Sequence, residues 1–157
     1  MKRKLDVGCG KGFFIDFFHN EYKHLDITGM DFSTTAKEFR PDLDIVFCND
    51  VETLCDDNSF DIVFHMDGLE HIPAKLQDEV KIEELRVAKK YIYHTIAIHS
   101  TKTDQFMIKK GHDPLHINLR TFEEWKEIFE KFTKDNNLKL RGIQMDEYGY
   151  WVHVFIE

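Results

Sequence analysis

Cysteine is scarce in this 157-residue sequence, and its three thiols, Cys9, Cys48 and Cys55, are odd in number and lack metal-ligand spacing. That excludes a disulfide scaffold and a thiolate metal knuckle, and it fits a reduced, cytoplasmic setting. Long apolar runs are missing as well. No stretch approaches the roughly 20 residues a membrane span needs, and Asp6 with the early glycines interrupts any signal-peptide pattern. Concentrated positive charge is also absent. Lys89-Lys90 and Lys109-Lys110 are isolated pairs in a chain of net charge −8, which argues against long nucleic acid as a partner. There is no repeat, low-complexity tract or linker. What remains, 42% apolar and 32% charged residues, predicts one folded domain over residues 1–157 with a single core.

The chain is organised around Leu5-Asp6-Val7-Gly8-Cys9-Gly10-Lys11-Gly12-Phe13. Leu5 to Val7 read as the end of a buried strand. Gly8, Gly10 and Gly12 make a turn too tight for side chains. From Phe13 onward, Phe14, Ile15, Phe17, Phe18 and Tyr22 follow helical spacing. Strand, glycine turn and helix form the nucleotide-binding corner of a doubly wound α/β sheet, where ligands sit at the carboxyl ends of strands. The spacing is G-x-G-x-G, one residue short of the dinucleotide pattern, and Phe13 stands where that pattern needs glycine. A Walker loop is excluded because Gly12, not Ser or Thr, follows Lys11. The corner suits a nucleoside-like ligand without a phosphate chain, which also weighs against an NAD-type dehydrogenase.

Strand and helix patterns then alternate, predicting a mainly parallel sheet covered on both faces. Leu25 to Met30 reads as a second strand ending at Asp31, 19 residues beyond Gly12, where such folds place an acid on ribose hydroxyls. Asp31 is also a candidate helix cap, since Ser33-Thr34-Thr35 open the next helix. Ile45 to Cys48 is a third strand, followed by Asn49-Asp50-Val51. Phe60 to Phe64 is a fourth, followed by His65-Met66-Asp67-Gly68-Leu69-Glu70-His71-Ile72-Pro73. Pro73 fits the first turn of a long helix running to about Lys90. Tyr91 to Ile98 is strand five. Thr121 with Glu124 forms a capping box, heading an amphipathic core stripe of Phe122, Trp125, Ile128, Phe129 and Phe132. Leu138 to Gln144 and Trp151 to Ile156 read as a hairpin turning through Asp146 to Gly149.

D-x-G-x-G-x-G after strand one, an acid after strand two and F-D-I-V-x-x-x-x-x-L-E-H-I at strand four together resemble the class I S-adenosylmethionine (SAM) methyltransferases. The ordered matches run from Lys4 to about His71, with weaker similarity through Phe132. The resemblance implies a doubly wound, mainly parallel seven-stranded sheet with a C-terminal antiparallel hairpin and helices on both faces. It implies SAM as cofactor, contacted by Asp6, Gly8, Cys9, Gly10, Gly12, Asp31, Phe32, Asn49, Asp50, Val51, His65 and Met66. Asp31 would hold the ribose, Asp50 the adenine amino group, and Val51 would lie against the ring. One departure stands out: Lys89-Lys90 replaces the glycine-containing turn usual before strand five.

Methyl transfer from a sulfonium is an in-line substitution whose leaving group departs neutral, so alignment and exclusion of water dominate. An alcohol acceptor also needs a base, and histidine titrates in the right range. His65, His71, His112 and His116 fall in loops expected beyond the carboxyl ends of the strands. His71, His112 and His116 are the candidate bases. His19, His24 and His153 are expected on helix or hairpin surfaces, while His94 and His99 belong to strand five as structural residues.

Asp67-x-x-Glu70-His71 also resembles the acid-x-x-Glu-His segment of metal-dependent O-methyltransferases, including those acting on small-RNA ends. On that reading Asp67, Glu70, His71 and His112, with His116 nearby, would hold Mg²⁺, Mn²⁺ or Fe²⁺. Leu-Glu-His is also widespread in family members that use no metal, and Asp67 replaces the glutamate usual at its place.

Only four residues precede strand one, so cap helices that often cover the cofactor are not expected. The acceptor pocket then comes mainly from Met66 to Pro73, Ser100 to Arg120, and a homodimer mate or partner subunit. The expected activity is O-methylation of a small hydroxylated acceptor. The rival reading is a non-catalytic SAM-binding subunit that needs a partner.

Overall fold

The computed structural model describes residues 2–22, 25–48, 53–98, 116–118 and 120–157. Along the chain these form β1 (Arg3–Val7), α1 (Phe13–Glu21), β2 (Asp26–Asp31), α2 (Thr34–Phe39), β3 (Ile45–Phe47) and β4 (Phe60–Met66). Two short 3-10 turns follow, Leu69–His71 and Ala74–Leu76, then α3 (Gln77–Val87), β5 (Ala88–Ala97), α4 (Phe122–Asp135), β6 (Leu140–Met145) and β7 (Trp151–Ile156). Among the described residues the strands form a seven-stranded sheet in the order β3-β2-β1-β4-β5-β7-β6. β1 runs parallel to β2 and β4, and β2 parallel to β3, while β6 and β7 pair antiparallel. This is the mainly parallel sheet with a C-terminal antiparallel hairpin that the sequence predicts.

The chain divides into two units. The first comprises residues 1–66 and 78–93. Lys4 to Val7 of β1 are buried without interruption, as a strand flanked by neighbours on both sides requires. The core gathers Cys9, Ile15, Ile27, Ala36, Leu43 and Ile45, with Phe14 and Phe18 packed against it. Phe17 and Tyr22, expected in the same stripe, are exposed. The apolar face of α1 is therefore narrower than its composition suggests.

The second unit comprises residues 67–77 and 94–157. Thr121 heads α4 with the expected capping box, its hydroxyl accepting from Glu124 N–H while the Glu124 carboxylate accepts from Thr121 N–H. Trp125, Phe129 and Phe132 are buried, and α4 packs on β6 and β7. β7 alternates strictly, with Val152, Val154 and Ile156 inside and Trp151 and Phe155 outside.

One expectation is corrected. The helix read from Pro73 to about Lys90 is shorter at both ends. Pro73 has ψ 134°, an extended conformation that only heads a 3-10 turn. At the other end the chain passes from Val87 directly into β5, with Lys89 and Lys90 as exposed strand residues. Sheet pairing overrides the helix preference of Ala-Lys-Lys, and the missing glycine turn has no counterpart because no turn exists there.

Candidate functional site

In the first unit the glycine turn is pinned to the carboxyl end of β2. The N–H groups of Gly8 and Cys9 both donate to Met30 O, at 2.8 and 3.0 Å. Gly8, Gly10 and Gly12 have φ of 70°, 50° and 74°, in the left-handed region that disfavours side chains. Space enforces the choice at Gly12, where an added Cβ would lie 2.3 Å from Leu43 Cδ1. At Gly10 an added Cβ would meet nothing within 4 Å among the described residues, which leave the outer side of the turn open. Cys9 is buried, and burial first, then the nearby Asp6 and Asp31 charges, push its thiol up to about 12. It is a packed, neutral side chain.

Asp31 closes β2 and is buried. Its Oδ2 accepts from Gly10 N–H and its Oδ1 from Ser33 N–H, each at 2.8 Å. Both sequence expectations therefore meet in one residue: it caps the entry to α2 and it sits on the turn. Each carboxylate oxygen keeps a further lone pair for a ligand hydroxyl. Phe32, next in line, is exposed.

Asp6 is buried on β1. Desolvation drives its pKa up to about 7, opposed by the charge of His65 and aided by that of Asp31. The sequence places His65 in a loop, but it is the penultimate residue of β4 and is buried, because the strand runs two residues beyond Phe64. Its Nδ1 lies 2.5 Å from Glu84 Oε1. Met66, the last residue of β4, is half-buried.

Glu84 is the residue that the sequence reading missed. Gln77, Val80, Lys81, Glu84 and Val87 are the buried positions of α3, at helical spacing. The two charged residues inside that stripe, Lys81 and Glu84, were the available signal. Gly29 was likewise missed: a Cβ there would lie 2.5 Å from Ile15 Cδ1 and 2.7 Å from Cys9 Sγ, so β2 must be bare where α1 crosses it. Beyond β3, Glu83 accepts from Thr53 N–H and its hydroxyl, and Arg86 donates to Glu83, Asp57, Thr53 and Cys55 O. This network holds residues 53–57 against α3.

In the second unit Asp67 has φ 48°, and its N–H donates to Thr95 O while its carboxylate accepts from the Thr95 hydroxyl. Glu70 is fully buried, its Oε1 accepts from Ala97 N–H at 2.9 Å, and its Oε2 has no partner among the described residues. Burial raises the Glu70 pKa, against the backbone hydrogen bonds it accepts. Ile117 and Asn118 N–H donate to Glu70 O, which brings the 116–118 segment to the 3-10 turn. The rings of His71 and His116 stand 4.6 Å apart. One ligand atom from each of Glu70, His71 and His116 lies within 4.8 Å of the others. Of the proposed metal ligands, Glu70 and His71 thus come together with His116, while Asp67 is engaged by Thr95. Asn49, Asp50, Val51, His24, His99 and His112 lie outside the described residues. His94 is buried on β5, His19 is exposed on α1, and His153 is half-buried on β7.

A mainly parallel seven-stranded sheet in the order β3-β2-β1-β4-β5-β7-β6, closed by the antiparallel β6–β7 pair and carrying a glycine turn after β1 and an acid at the end of β2, is the class I, Rossmann-like methyltransferase fold. Residues 5–90, more than half of the chain, match the family described as a methyltransferase domain. The chain belongs to that family, whose members use SAM. A SAM-dependent methyltransferase from Aquifex aeolicus superposes with TM-score 0.73 at 14% identity, over 99% of this chain and 81% of that one. One from Archaeoglobus fulgidus gives 0.74 at 18% identity, over 99% and 85%. A complex between the Haloferax volcanii Trm112 methyltransferase activator and a proposed methyltransferase gives 0.77 at 14%, over 99% and 81%. At such identities the likeness is one of fold. No curated protein matches the chain. Among the described residues, no helix is long and apolar enough to cross a membrane.

Proposed function

We propose that this chain is an active SAM-dependent methyltransferase, residues 1–157 acting as one domain, that methylates an oxygen of a small hydroxylated acceptor such as a sugar. The observation that carries the reading is Asp31, buried at the end of β2 and bonded to the glycine turn whose outer side is open at Gly10. The bound cofactor supplies a methyl group on a sulfonium that leaves as a neutral thioether. Asp31 accepts from the ribose hydroxyls with charge-assisted strength. The bare backbone of Gly8 to Gly12 leaves room for the methionine end. Asp6, Cys9, Phe32, Asn49, Asp50, Val51, His65 and Met66 complete the cofactor contacts. His71 or His116 takes the acceptor's hydroxyl proton, with His112 a third candidate, and the buried Glu70 carboxylate steadies the resulting imidazolium. None of Cys9, Cys48 and Cys55 forms a disulfide, which suits a cytoplasmic setting. The charge of −8 speaks against nucleic-acid acceptors.

The test is formation of S-adenosylhomocysteine from SAM across a panel of sugars and other hydroxylated metabolites. Replacing the true base, in His71→Ala or His116→Ala, lowers turnover by about 10²–10⁴ while leaving SAM affinity intact. SAM binding without consumption, even with partner proteins added, would move the assignment to a non-catalytic SAM-binding subunit. The activator complex among the structural relatives makes a partner subunit, or a second copy of the chain, the natural addition to that assay.

A second reading, metal-assisted O-methylation, is favoured by one observation: the buried Glu70 carboxyl group, whose Oε2 has no partner among the described residues, has a ligand atom within 4.8 Å of those of His71 and His116. Glu70, His71 and His116 would hold Mg²⁺, Mn²⁺ or Fe²⁺, with Asp67 and His112 as further donors. Such an ion lowers the pKa of an acceptor hydroxyl. Calorimetric titration with Mn²⁺ tests it. Saturable uptake lost in Glu70→Gln supports the reading, and no uptake by the wild-type protein removes it, together with the RNA-end acceptor that metal dependence would suggest.

A further inference from the structure

We propose that Glu84 is a positioning and specificity residue for the cofactor corner: it fixes the His65 ring beneath Gly8 and favours a cationic sulfonium over a neutral thioether. The inference rests on the SAM-binding reading above.

Glu84 and His65 come from α3 and β4, and both side chains are almost fully buried, at 3% exposure each. A buried Glu–His pair is weak evidence for a stabilising role, because desolvating two charges offsets most of their attraction. An apolar residue would fill that place in the α3 stripe at lower cost. Its effect is instead geometric. An imidazole's χ2 torsion is broad, and a carboxylate on Nδ1 selects both the ring orientation and the tautomer. With Nδ1 turned to Glu84, the opposite edge of the ring faces the glycine turn. A Cβ at Gly8 would lie 3.8 Å from His65 Nε2 and 3.9 Å from Cδ2. His65 thus forms the floor under Gly8. Lys81, one turn earlier on α3, is paired with Asp78 at 2.8 Å.

The consequence concerns charge. SAM carries a sulfonium, and the S-adenosylhomocysteine left after transfer does not. Glu84→Gln replaces the carboxyl group beside His65 with an uncharged amide while keeping an oxygen able to accept from Nδ1–H. A residue that merely holds the fold together would change the affinity of both ligands alike. A residue acting through charge changes their ratio.

The test is isothermal titration of wild-type protein and Glu84→Gln with SAM and, separately, with S-adenosylhomocysteine, alongside their thermal midpoints. A charge removed at this depth is expected to weaken SAM about fivefold or more and S-adenosylhomocysteine by less than about twofold. If wild-type protein binds neither ligand, the methyltransferase reading fails, not this assignment alone. If wild-type binds both and the variant weakens them equally, or not at all, the Glu84 assignment is overturned and the functional reading stands. Should Glu84→Gln not fold, the His65 ring nitrogens of wild-type protein decide by ¹⁵N NMR. A protonated Nδ1, with ring resonances that move on addition of S-adenosylhomocysteine, supports the assignment. An unprotonated Nδ1, or resonances indifferent to the ligand, overturns it.

Discussion

Asp31 reaches back 21 residues to hold the backbone N–H of Gly10, 2.8 Å from its Oδ2, while its Oδ1 accepts from Ser33 at the same distance. One buried acid thereby joins the glycine turn to the entrance of α2. Its remaining lone pairs are oriented before any ligand arrives, and such preorganisation lowers the cost of binding.

Asp31→Ala leaves two backbone N–H groups without their acceptor and should lower stability by about 2 kcal/mol. SAM affinity should fall at least tenfold, because the ribose acceptor and the turn anchor are lost together. Asp31→Asn keeps one acceptor oxygen and should recover most of the stability but not the affinity. Urea unfolding and calorimetry on the two variants check this; equal SAM affinity in Asp31→Ala and wild type would refute the ribose role.

Asp6 makes stability depend on pH in a defined direction. Burial holds its carboxyl at about 7, against an ordinary 3.8, with the attraction of His65 pulling the other way. Between those values the folded protein keeps a proton that the unfolded chain releases, so the Asp6 contribution is full below about pH 4 and is lost as pH rises through about 7. Asp6→Asn should flatten that decline. Urea midpoints from pH 4 to 8 provide the measurement, and an unchanged slope in the variant counts against the buried acid.

Glu83 works in the opposite sense. The Arg86 hydrogen bonds, followed by those from Thr53, hold its pKa at about 2, below the ordinary 4.5. Its contribution is present above about pH 4.5 and disappears as pH falls through about 2. Arg86→Ala should destabilise the protein at pH 7, with the difference from wild type shrinking as acid is added. It should also speed amide exchange at Thr53 and Cys55, which lose their anchors. Exchange rates unchanged at both residues would show that the 53–57 segment is held by something else.

Gly12→Ala combines two penalties. A left-handed φ costs an L-residue about 1–2 kcal/mol, and the new Cβ would press on Leu43 at 2.3 Å. In a Leu43→Ala background the steric part disappears and the backbone part stays. A double-mutant cycle should therefore give a coupling of about 1 kcal/mol. Strict additivity would mean that Leu43 moves aside freely.

Much of the cofactor corner was legible because its constraints are local. Gly8, Gly10 and Gly12 occupy backbone conformations that other residues disfavour, so the turn is written in the residue types. Asp31 was legible by its distance from that turn, although not that it would serve both as cap and as turn anchor. The Pro73–Lys90 helix was misjudged because Ala-Lys-Lys prefers helix in isolation, and only a neighbouring strand converts it to β5. Residues whose roles depend on contacts made across the fold left weaker traces. Glu84 showed itself only as an acid at helical spacing from Val80 and Val87, and Gly29 only as a glycine inside a strand.

By itself, then, the chain determined the order of strands and helices, the glycine turn and the acid after β2, since hydrophobic periodicity and φ preferences act over a few residues. Tertiary structure alone decided that Glu84 would meet His65, while the meeting of Glu70 and His71 with His116, from segments some 45 residues apart, is one that the acid-x-x-Glu-His resemblance already implies. Burial made those encounters chemically significant, because a charge removed from water must find a partner, and which partner it finds depends on how the elements pack.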